Sequence, residues 1–331
     1  MPKKIGFTYN VKSEFPLKVG DPEDLNAEFD NPQTIDLVKS AIESGGHEVI
    51  LIGNAKNLLK MLPDLKVDII FNICEGIGSR NREAQIPVIL ETLGIPYVGS
   101  DGLTMSLALD KVMAKKVFAA EKIPTPGCVG IKKMEDLVNL DHLEFPLIVK
   151  LRQEGTSKGL ANDSVVHNRK ELEKKSEYLF GTYHNAPIII EQFIPGKEIT
   201  VPIIGNSPPE ALPSVQLAIS GITELEELIY TYEMVKSPDV DYLCPSRIDK
   251  QLESQLGDLA VRAYKAVDCL DFGRVDFRVD KNNNPYVLEI NPLPSLAFDD
   301  VFNLSPQVVG YDYNKAINKI LDAALLRYGL N

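Results

Sequence analysis

The chain has few residues of the kinds that cross membranes, form disulfides or bind soft metals. Its 331 residues contain no apolar run near the roughly 20 residues that span a bilayer. The four cysteines, Cys74, Cys128, Cys244 and Cys269, include no Cys-x-x-Cys pair, and the four histidines show no metal-binding spacing. We therefore expect reduced thiols rather than disulfides or a zinc site. The first residues lack the features of a secretory signal, so we expect a cytoplasmic protein.

Positive charge is scarce, and two common nucleotide-binding motifs are missing. The chain has 35 Lys and Arg against 47 Asp and Glu, a net charge of −12, which argues against general nucleic-acid binding because that relies on clustered positive charge. A Walker A motif is absent, since Gly196-Lys197 is followed by Glu198. In Glu75–Asn81, an asparagine stands where a dinucleotide motif needs its last glycine. A locally basic nucleotide pocket remains compatible with these facts.

Strands and helices alternate through the first hundred residues. We predict strands at Lys4–Val11, His47–Gly53, Val67–Ile73 and Ile95–Val98, and helices at Gln33–Ser44, Ala55–Leu62 and Glu83–Leu93. Strands separated by helices indicate a parallel sheet with helices on its faces. Ligands bind in the loops at the carboxyl ends of such strands, which are here Asn10–Asp30 and Cys74–Arg82.

The rest of the chain mixes helices with paired strands. We predict helices at Lys111–Lys122, Arg169–Tyr178, Gln251–Val267 and Tyr313–Tyr328. Strands are predicted before Lys150, twice within Pro187–Gly205, and in a hairpin at Phe272–Pro294. The length suits two or three domains. The predicted class is α/β with α+β elements, with domains at residues 1–105, 106–190 and 191–331.

The hairpin FGRVDFRVDKNNNPYVLEINPLP, Phe272–Pro294, places two carboxylates and an amide on one short unit. Asp276 lies in an alternating strand, and Glu289 and Asn291 are two residues apart, so they share a face of the next strand. The turn Asp280–Asn284 allows the strands to pair with Asp276 near that face. Magnesium prefers such hard oxygen ligands together with phosphates. The alternative is a charge-alternating ribbon on the surface.

A lysine and a glycine-bounded loop upstream could hold phosphate. Lys150 ends the apolar strand PLIVK, and the loop RQEGTSKG follows it. A strand lysine offers a fixed point charge, and Gly155 and Gly159 allow backbone N–H groups to come close to phosphate oxygens. Thr156 and Ser157 add hydroxyl donors. The alternative is a surface turn that carries a lysine.

Several other charged residues could either bind a ligand or be ordinary surface residues. Lys111 begins a predicted helix and, taken singly, reads as a solvated lysine. Glu191 ends one apolar strand and Glu198 begins the next, so both could face one cleft. The backbone of the linker between them could then hydrogen-bond to the edge of an adenine, and Glu198 could accept hydrogen bonds from a ribose. The alternative is two exposed acids at strand ends. Arg274 precedes Asp276 by two residues, projects the same way, and could counter an anion over the metals.

Together these segments resemble the ATP-grasp superfamily and, within it, the D-alanine–D-alanine ligases. Leu90–Phe118 is similar to the ligases' passage from first to second domain, which ends in an ATP lysine, here Lys111. PLIVKLRQEGTSKGL is similar to their strand lysine and phosphate-covering loop, EQFIPGKEITV to their adenine hinge and ribose acid, and the hairpin to their metal-binding hairpin. The resemblance implies the ATP-grasp fold, in which an N-terminal parallel α/β domain precedes two domains that sandwich ATP.

The resemblance also implies a reaction and its residues. ATP would phosphorylate a carboxylate, and an amine would then displace the phosphate. The ATP-binding residues would be Lys111, Lys150, Glu154, Gly155, Gly159, Glu191, Gln192, Phe193, Ile194 and Glu198. The ligands for two Mg²⁺ ions, with Mn²⁺ as an alternative, would be Asp276, Glu289 and Asn291. The catalytic residues would be Arg274, Thr156 and Ser157. Amino-acid or dipeptide substrates and a homodimer are implied, with no nucleic-acid or membrane partner.

The sequence departs from these ligases where substrates bind. A long insert replaces their first loop, and Glu28 or Asp30 would hold the first amino group. Lys236 matches a lysine of another substrate segment, and Ser295 replaces a glycine after the metal asparagine. Asp300 falls near the position at which the ligases have a serine that binds the carboxylate of the second substrate. An aspartate would repel a carboxylate there and would suit an amine or an amide.

Three functions are open at this point. The chain could be a D-alanine–D-alanine ligase of divergent sequence, or a related ligase for another amino acid or a peptide-like acceptor. It could also be a nucleotide-binding protein that has the fold without ligase activity. The intact set of lysines and hairpin donors argues against the last.

Overall fold

The computed structural model describes residues 1–138, 140 and 143–331, apart from the side chain of Lys236. His142, one of the histidines considered above, lies outside these residues. The described chain is a mixed α/β protein with three sheets. Among the described residues, no helix is both long and apolar enough to cross a membrane.

The first sheet is parallel and has helices between its strands, as the alternating pattern predicts. Its elements are β1 (Lys4–Tyr9), α1 (Pro32–Ser44), β2 (Glu48–Gly53), α2 (Ala55–Met61), β3 (Ile69–Ile73), α3 (Gln85–Leu93) and β4 (Tyr97–Val98). The strand order is β2-β1-β3-β4. All five residues of β3 are buried, which suits a strand covered on both faces. Gly94 ends α3 with a φ of 65°, a left-handed conformation that favours glycine.

Two helices connect this sheet to the rest of the chain: α4 (Gly102–Leu109) and α5 (Lys111–Ala120). The break between them falls at Asp110, whose side chain accepts a hydrogen bond from the backbone N–H of Met113, 3.2 Å away, and so caps α5. Arg152 also donates to Asp110 at 2.7 Å and 2.8 Å, which ties the start of α5 to the second sheet. The cap therefore fixes Lys111 in the first turn of α5. The sequence pattern did not predict α4.

The second sheet is antiparallel and covers one side of the central cleft. It comprises β5 (Cys128–Ile131), β6 (Leu147–Leu151), β7 (Val165–Val166), α6 (Arg169–Thr182) and β8 (Ile188–Gln192). Its order is β5-β8-β6-β7, and Lys150 of β6 pairs with Ile189 of β8. The central pairing of β6 with β8 is why Lys150 and Glu191 meet on one face of the sheet.

The third sheet carries the predicted hairpin. Its elements are β9 (Lys197–Ile204), β10 (Glu210–Ala211), β11 (Val215–Ile219), β12 (Val240–Leu243), α7 (Lys250–Ala266), β13 (Phe272–Val279), β14 (Pro285–Asn291), α8 (Val301–Val308) and α9 (Tyr313–Arg327). The order is β12-β11-β9-β13-β14, and β10 pairs with β9. Short 3₁₀ helices occur at Lys12–Glu14, Leu62–Asp64, Arg82–Ala84, Met134–Val138, Asn162–Ser164 and Tyr232–Lys236.

The last helix returns to the first sheet. Ile317, Ile320 and Leu321 of α9 are fully buried in one hydrophobic core with Ile35 and Val38 of α1. Apolar burial of this kind stabilises at about 25 cal/mol per Å², so the C-terminal helix holds the first and third sheets together. The loops of the first sheet are thereby fixed above the cleft between the second and third sheets.

Candidate active site

A cleft of about 810 Å³ collects the predicted site residues from all three sheets. Those that line it are Glu28, Asp30, Lys111, Lys150, Glu154, Gly155, Thr156, Ser157, Glu191, Gln192, Phe193, Ile194, Glu198, Arg274, Asp276, Glu289, Asn291, Ser295 and Asp300. Gly159 is not among the lining residues. The side chain of Lys236 lies outside the described part of the structure.

The hairpin brings its oxygen donors face to face. In the pairing of β13 with β14, Asp276 is opposite Glu289 and Arg274 is opposite Asn291. Arg274 donates two hydrogen bonds to Asp276, at 3.0 Å and 2.8 Å, and Asn291 donates to the same carboxylate at 2.9 Å. Thr200 of β9 donates a further hydrogen bond at 2.8 Å. Four hydrogen bonds from three side chains therefore fix the carboxylate of Asp276 in position.

A lysine from α5 reaches the other carboxylate of the hairpin. Lys111 Nζ lies 3.1 Å from Glu289 Oε2 and donates to the backbone oxygen of Glu154 at 2.6 Å. Lys111 is buried, so the interpretation as a solvated lysine is wrong. Burial raises the pKa of the Glu289 carboxyl, but Lys111 and then Lys150 outweigh that effect and hold the pKa at about 2.

Two lysines contact the carboxylate of Glu191. Lys150 Nζ lies 2.9 Å from one carboxylate oxygen of Glu191, and Lys115 Nζ lies 3.2 Å from the other. The side chain of Glu191 is only 1% exposed. Burial raises the pKa of Glu191, but Lys115 and Lys150 together lower it. The sequence reasoning missed Lys115; its position four residues after Lys111 on one helix face was the available signal.

We call this cluster the basic end, defined by Lys111, Lys115, Lys150, Glu191 and Glu289; all but Lys115 line the cleft. Each of its carboxylates has a lysine partner within 3.2 Å. Buried ion pairs need such close partners to offset desolvation. The basic end is thus a set of positive and negative side chains in fixed positions, which can bind an anion together with its counter-ions.

The loop after β6 presents backbone donors to the first sheet's long loop. Thr156 and Ser157 have φ values of 48° and 52°, and such left-handed conformations persist in non-glycine residues where the surroundings impose them. The N–H of Gly155 donates to Glu28 at 2.6 Å, and that of Gly159 donates to Asp24 at 2.8 Å. The loop is therefore closed onto the first domain. Asp24 was missed by the sequence reasoning, although it lies in the predicted ligand loop.

Glu28 is held by several donors at once. Arg82 donates to it at 2.6 Å and Lys158 lies 3.0 Å away, in addition to the N–H of Gly155. Burial raises the pKa of Glu28, but Arg82 and Lys158 lower it overall. Arg82 ends the second predicted ligand loop, and neither it nor Lys158 was singled out in the sequence. Glu28 is consequently an ionised carboxylate beside the glycine loop.

A hinge joins the second and third sheets at residues 192–194. Phe193 is buried, and the guanidinium of Arg278 lies 5.1 Å from its ring centroid. Arg278 also donates to the backbone oxygen of Ile194 at 3.0 Å and lies 3.1 Å from Glu198 Oε2. Burial is the main reason that the pKa of Glu198 is raised. The arginine, which the sequence reasoning missed, fixes the hinge and Glu198 on one edge of the cleft.

The opposite part of the cleft is acidic. Asp300 caps α8, since its carboxylate accepts from the N–H of Val301 at 2.6 Å. Asp30 is half-buried, and burial together with the negative charge of Asp300 raises its pKa to about 7. Burial and then Glu83 raise the pKa of Glu75 well above its ordinary value. We call Asp30, Glu75 and Asp300 the acidic end.

Ser295 lies beside Asp300, where its hydroxyl lowers the pKa of that carboxyl against the larger effect of burial. Ser295 is exposed at the rim, where its hydroxyl oxygen accepts from the N–H of Ala297 at 3.2 Å. Lys236 ends a 3₁₀ helix. The described residues contain no group of three or more His, Cys, Asp or Glu side chains suited to a metal ion.

Known sequences resemble this chain over most of its length. Residues 126–322 match the family model described as the C-terminus of D-Ala–D-Ala ligase. The chain is 33% identical over 301 residues to an uncharacterized protein, y4sG, of Sinorhizobium fredii, with 88% of each chain covered. It is 30% identical over 298 residues to a D-alanine–D-alanine ligase of Carboxydothermus hydrogenoformans, which covers 87% of this chain and 91% of that relative.

Solved structures share the architecture. A D-alanine–D-alanine ligase from Bacillus anthracis superposes with a TM-score of 0.75 at 25% identity, with 99% of each chain covered. The D-Ala:D-Ser ligase VanG from Enterococcus faecalis superposes with a TM-score of 0.74 at 21% identity, with 98% of this chain and 100% of that one covered. The family model and the relatives agree with the segments that carry the resemblance in the sequence. The chain therefore belongs to the D-alanine–D-alanine ligase family and has the ATP-grasp fold.

Proposed function

We propose that the chain is an ATP-dependent ligase that joins the carboxylate of an amino acid to an amine through an acyl phosphate. The observation that carries this proposal is the basic end, where two lysines and the hairpin carboxylates face one cleft. Lys111 and Lys150 lie within 3.1 Å of Glu289 and Glu191 respectively. Fixed positive charges of this kind stabilise a transferring phosphoryl group.

The nucleotide would lie between the second and third sheets. The backbone of the hinge at 192–194 would read the adenine edge, and Glu198 would accept from the ribose hydroxyls. Glu191 already neutralises Lys115 and Lys150, so it fixes their charges beside the phosphates. Arg278 supports this assignment because it orients both Glu198 and the backbone oxygen of Ile194.

The hairpin donors fit magnesium. Asp276 and Glu289 face each other across two strands and have Asn291 beside them, which is the oxygen set that Mg²⁺ prefers. Because the protein offers only two carboxylates and an amide here, the remaining ligands would be phosphate oxygens and water. When bound, magnesium would neutralise charge on the phosphate oxygens. We expect two ions, with manganese able to replace them.

The first amino acid would lie beside the glycine loop. Glu28, which contacts the N–H of Gly155 at 2.6 Å, would take its amino group and so place its carboxylate near the transferred phosphate. Thr156 and Ser157 would add hydroxyl donors to that phosphate. The closed loop would exclude water, which protects an acyl phosphate from hydrolysis.

The amine step would use Arg274. Its guanidinium lies in the cleft and is fixed by two hydrogen bonds to Asp276. A fixed cation at this place would stabilise the oxyanion that forms when the amine attacks the acyl carbon. The predicted homodimer and the cytoplasmic location remain predictions.

Two assays test the ligase proposal. Purified protein with MgATP and a panel of D- and L-amino acids should release ADP with at least one of them. With hydroxylamine present, the same amino acid should yield its hydroxamate, because hydroxylamine traps an acyl phosphate. ATP binding without ADP release or hydroxamate from any amino acid would instead identify a nucleotide-binding protein without ligase activity.

A further inference from the structure

Glu28, the proposed partner of the first amino group, is bound by the protein on both of its carboxylate oxygens. One oxygen accepts from the N–H of Gly155 and from Arg82, both at 2.6 Å, and the other accepts from Lys158 at 3.0 Å. Lys158 lines the cleft, whereas Arg82 does not. The oxygen that a substrate in the cleft can reach is therefore the one that Lys158 binds.

A tight turn fixes the position of Lys158. The N–H of Lys158 donates to the backbone oxygen of Gly155 at 3.0 Å, which closes a turn around Thr156 and Ser157. Both of these residues have a positive φ, and such conformations persist where the surrounding contacts impose them. Because the turn returns Lys158 to the side of Gly155, its ammonium group and the N–H of Gly155 meet at the same carboxylate.

Lys158 has a second acidic partner within reach. Its Nζ lies 2.5 Å from Glu154, and its side chain is 4% exposed. Burial lowers the pKa of Lys158, but Glu28 and then Glu154 outweigh that effect and raise it, so the side chain remains an ammonium group. Glu154 also lines the cleft. Lys158 can therefore give up Glu28 and still keep an ionic partner.

An amino acid would bring a second ammonium group to the same oxygen of Glu28. The other oxygen already has two donors, which use its two lone pairs. Two ammonium groups on the remaining oxygen would repel each other. The side chain of Glu28 is only 8% exposed, which leaves little room for both. The geometry therefore favours exchange of one ammonium group for the other.

We propose that Lys158 competes with the ammonium group of the first amino acid for Glu28 and so determines how tightly the ligase binds that substrate. Binding of the amino acid moves Lys158 onto Glu154. A carboxylic acid that lacks the amino group displaces nothing and leaves Lys158 on Glu28. Lys158 thus weakens the binding of amino acids but not that of other acids. This inference rests on the proposed ligase function and on the role of Glu28 in it.

Hydroxamate formation tests the inference, because it measures the first substrate without an acceptor. The KM of the amino acid that gives most hydroxamate is compared with the inhibition constant of the matching acid without an amino group, which is propionate for alanine. Lys158→Met should lower the KM about tenfold, the size of one charge-assisted hydrogen bond. The inhibition constant should stay the same. The kcat should change by less than about threefold, because Gly155 still binds Glu28 and keeps the loop closed.

Three further variants separate the effect of charge from an effect on folding. Lys158→Arg keeps a cation beside Glu28 and should restore the parent KM. Lys158→Gln loses the charge and should lower the KM as methionine does, which covers a methionine variant that folds poorly. Lys175→Met is the matched control, because Lys175 is a buried lysine that pairs with Asp163 at 2.6 Å and lies outside the cleft. Its KM should equal that of the parent protein.

Other results would overturn the inference. An unchanged KM for Lys158→Met would show that Lys158 does not compete with the amino group, and a higher KM would show that it binds the substrate itself. Weaker inhibition by propionate would assign Lys158 to the substrate carboxylate. In each of these cases hydroxamate still forms and the ligase proposal stands. No hydroxamate from any amino acid, in the parent protein or the variants, would remove the ligase proposal and this inference with it.

Discussion

The two ends of the cleft differ in whether their carboxylates have positively charged partners. At the basic end, Glu191 and Glu289 each have lysine partners within 3.2 Å. At the acidic end, Asp30 and Glu75 have no such partner among the described residues, and burial raises the pKa of both. Groups that are paired within the protein can be ready before any ligand arrives, whereas unpaired groups must be neutralised by a ligand or a proton. We therefore expect phosphoryl transfer to depend on the basic end and the choice of acceptor to depend on the acidic end.

The largest expected effect is at the basic end. Glu289→Gln should lower turnover at least about 100-fold, since a metal ligand contributes several kcal/mol to the transition state and each 1.36 kcal/mol is a factor of ten. The measurement is steady-state ADP release with the best amino acid from the panel. Circular dichroism should show an unchanged fold. Glu48→Gln is the control, because Glu48 is an exposed acid that also pairs with a lysine. A near-normal rate for Glu289→Gln would remove it from the metal site.

The second effect concerns the lysine that the sequence reasoning missed. Lys115→Met should raise the KM for ATP about tenfold, because Glu191 would then retain Lys150 alone and draw it away from the phosphates. Breaking one partner of a buried pair also destabilises, typically by about 3–5 kcal/mol, so Tm should fall. Lys116→Met is the matched control, since Lys116 is the exposed neighbour on α5. An unchanged KM would mean that Lys115 supports the fold alone.

Some features of the protein could be predicted from its sequence, and others could not. The family and the fold are confirmed, because ordered motifs such as the strand with Lys150 and the hairpin with Asp276 depend on local patterns. The partners of these residues were not predicted: Lys115, Arg82 and Arg278 contact site residues through pairings between distant segments. Helix α8 was missed as well, since its start depends on the cap at Asp300 rather than on a strong periodic pattern. The site roles themselves remain predictions.

A smaller effect should alter the acceptor preference. Asp300→Ser replaces a charge near the cleft with a hydroxyl that can still cap α8. We expect D-alanine to gain severalfold in kcat/KM relative to D-alanine amide, because Asp300 would repel only the acceptor that carries a carboxylate. The kcat/KM values of D-alanine and D-alanine amide, measured for the variant and the parent protein, give the ratio of the two acceptors. An unchanged ratio would show that Asp300 serves the helix cap only.

The smallest expected effect is on stability, and it is confined to a pH range. The folded protein raises the pKa of Asp30 to about 7 from an ordinary 3.8. Such a carboxyl favours folding fully below pH 3.8 and loses that contribution as the pH rises to about 7, because burial and Asp300 disfavour its ionised form. Asp30→Asn should therefore leave Tm unchanged at pH 4 and raise it by a few degrees at pH 8, since about 1 kcal/mol shifts Tm by about 2–4 °C in domains of this size. Asp21→Asn, an aspartate of the same long loop that lies outside the cleft, should change neither value. Equal Tm values for Asp30→Asn and the parent protein at pH 8 would mean that Asp30 already has a cation in the free protein, and the acidic end would then need no charge from its ligand.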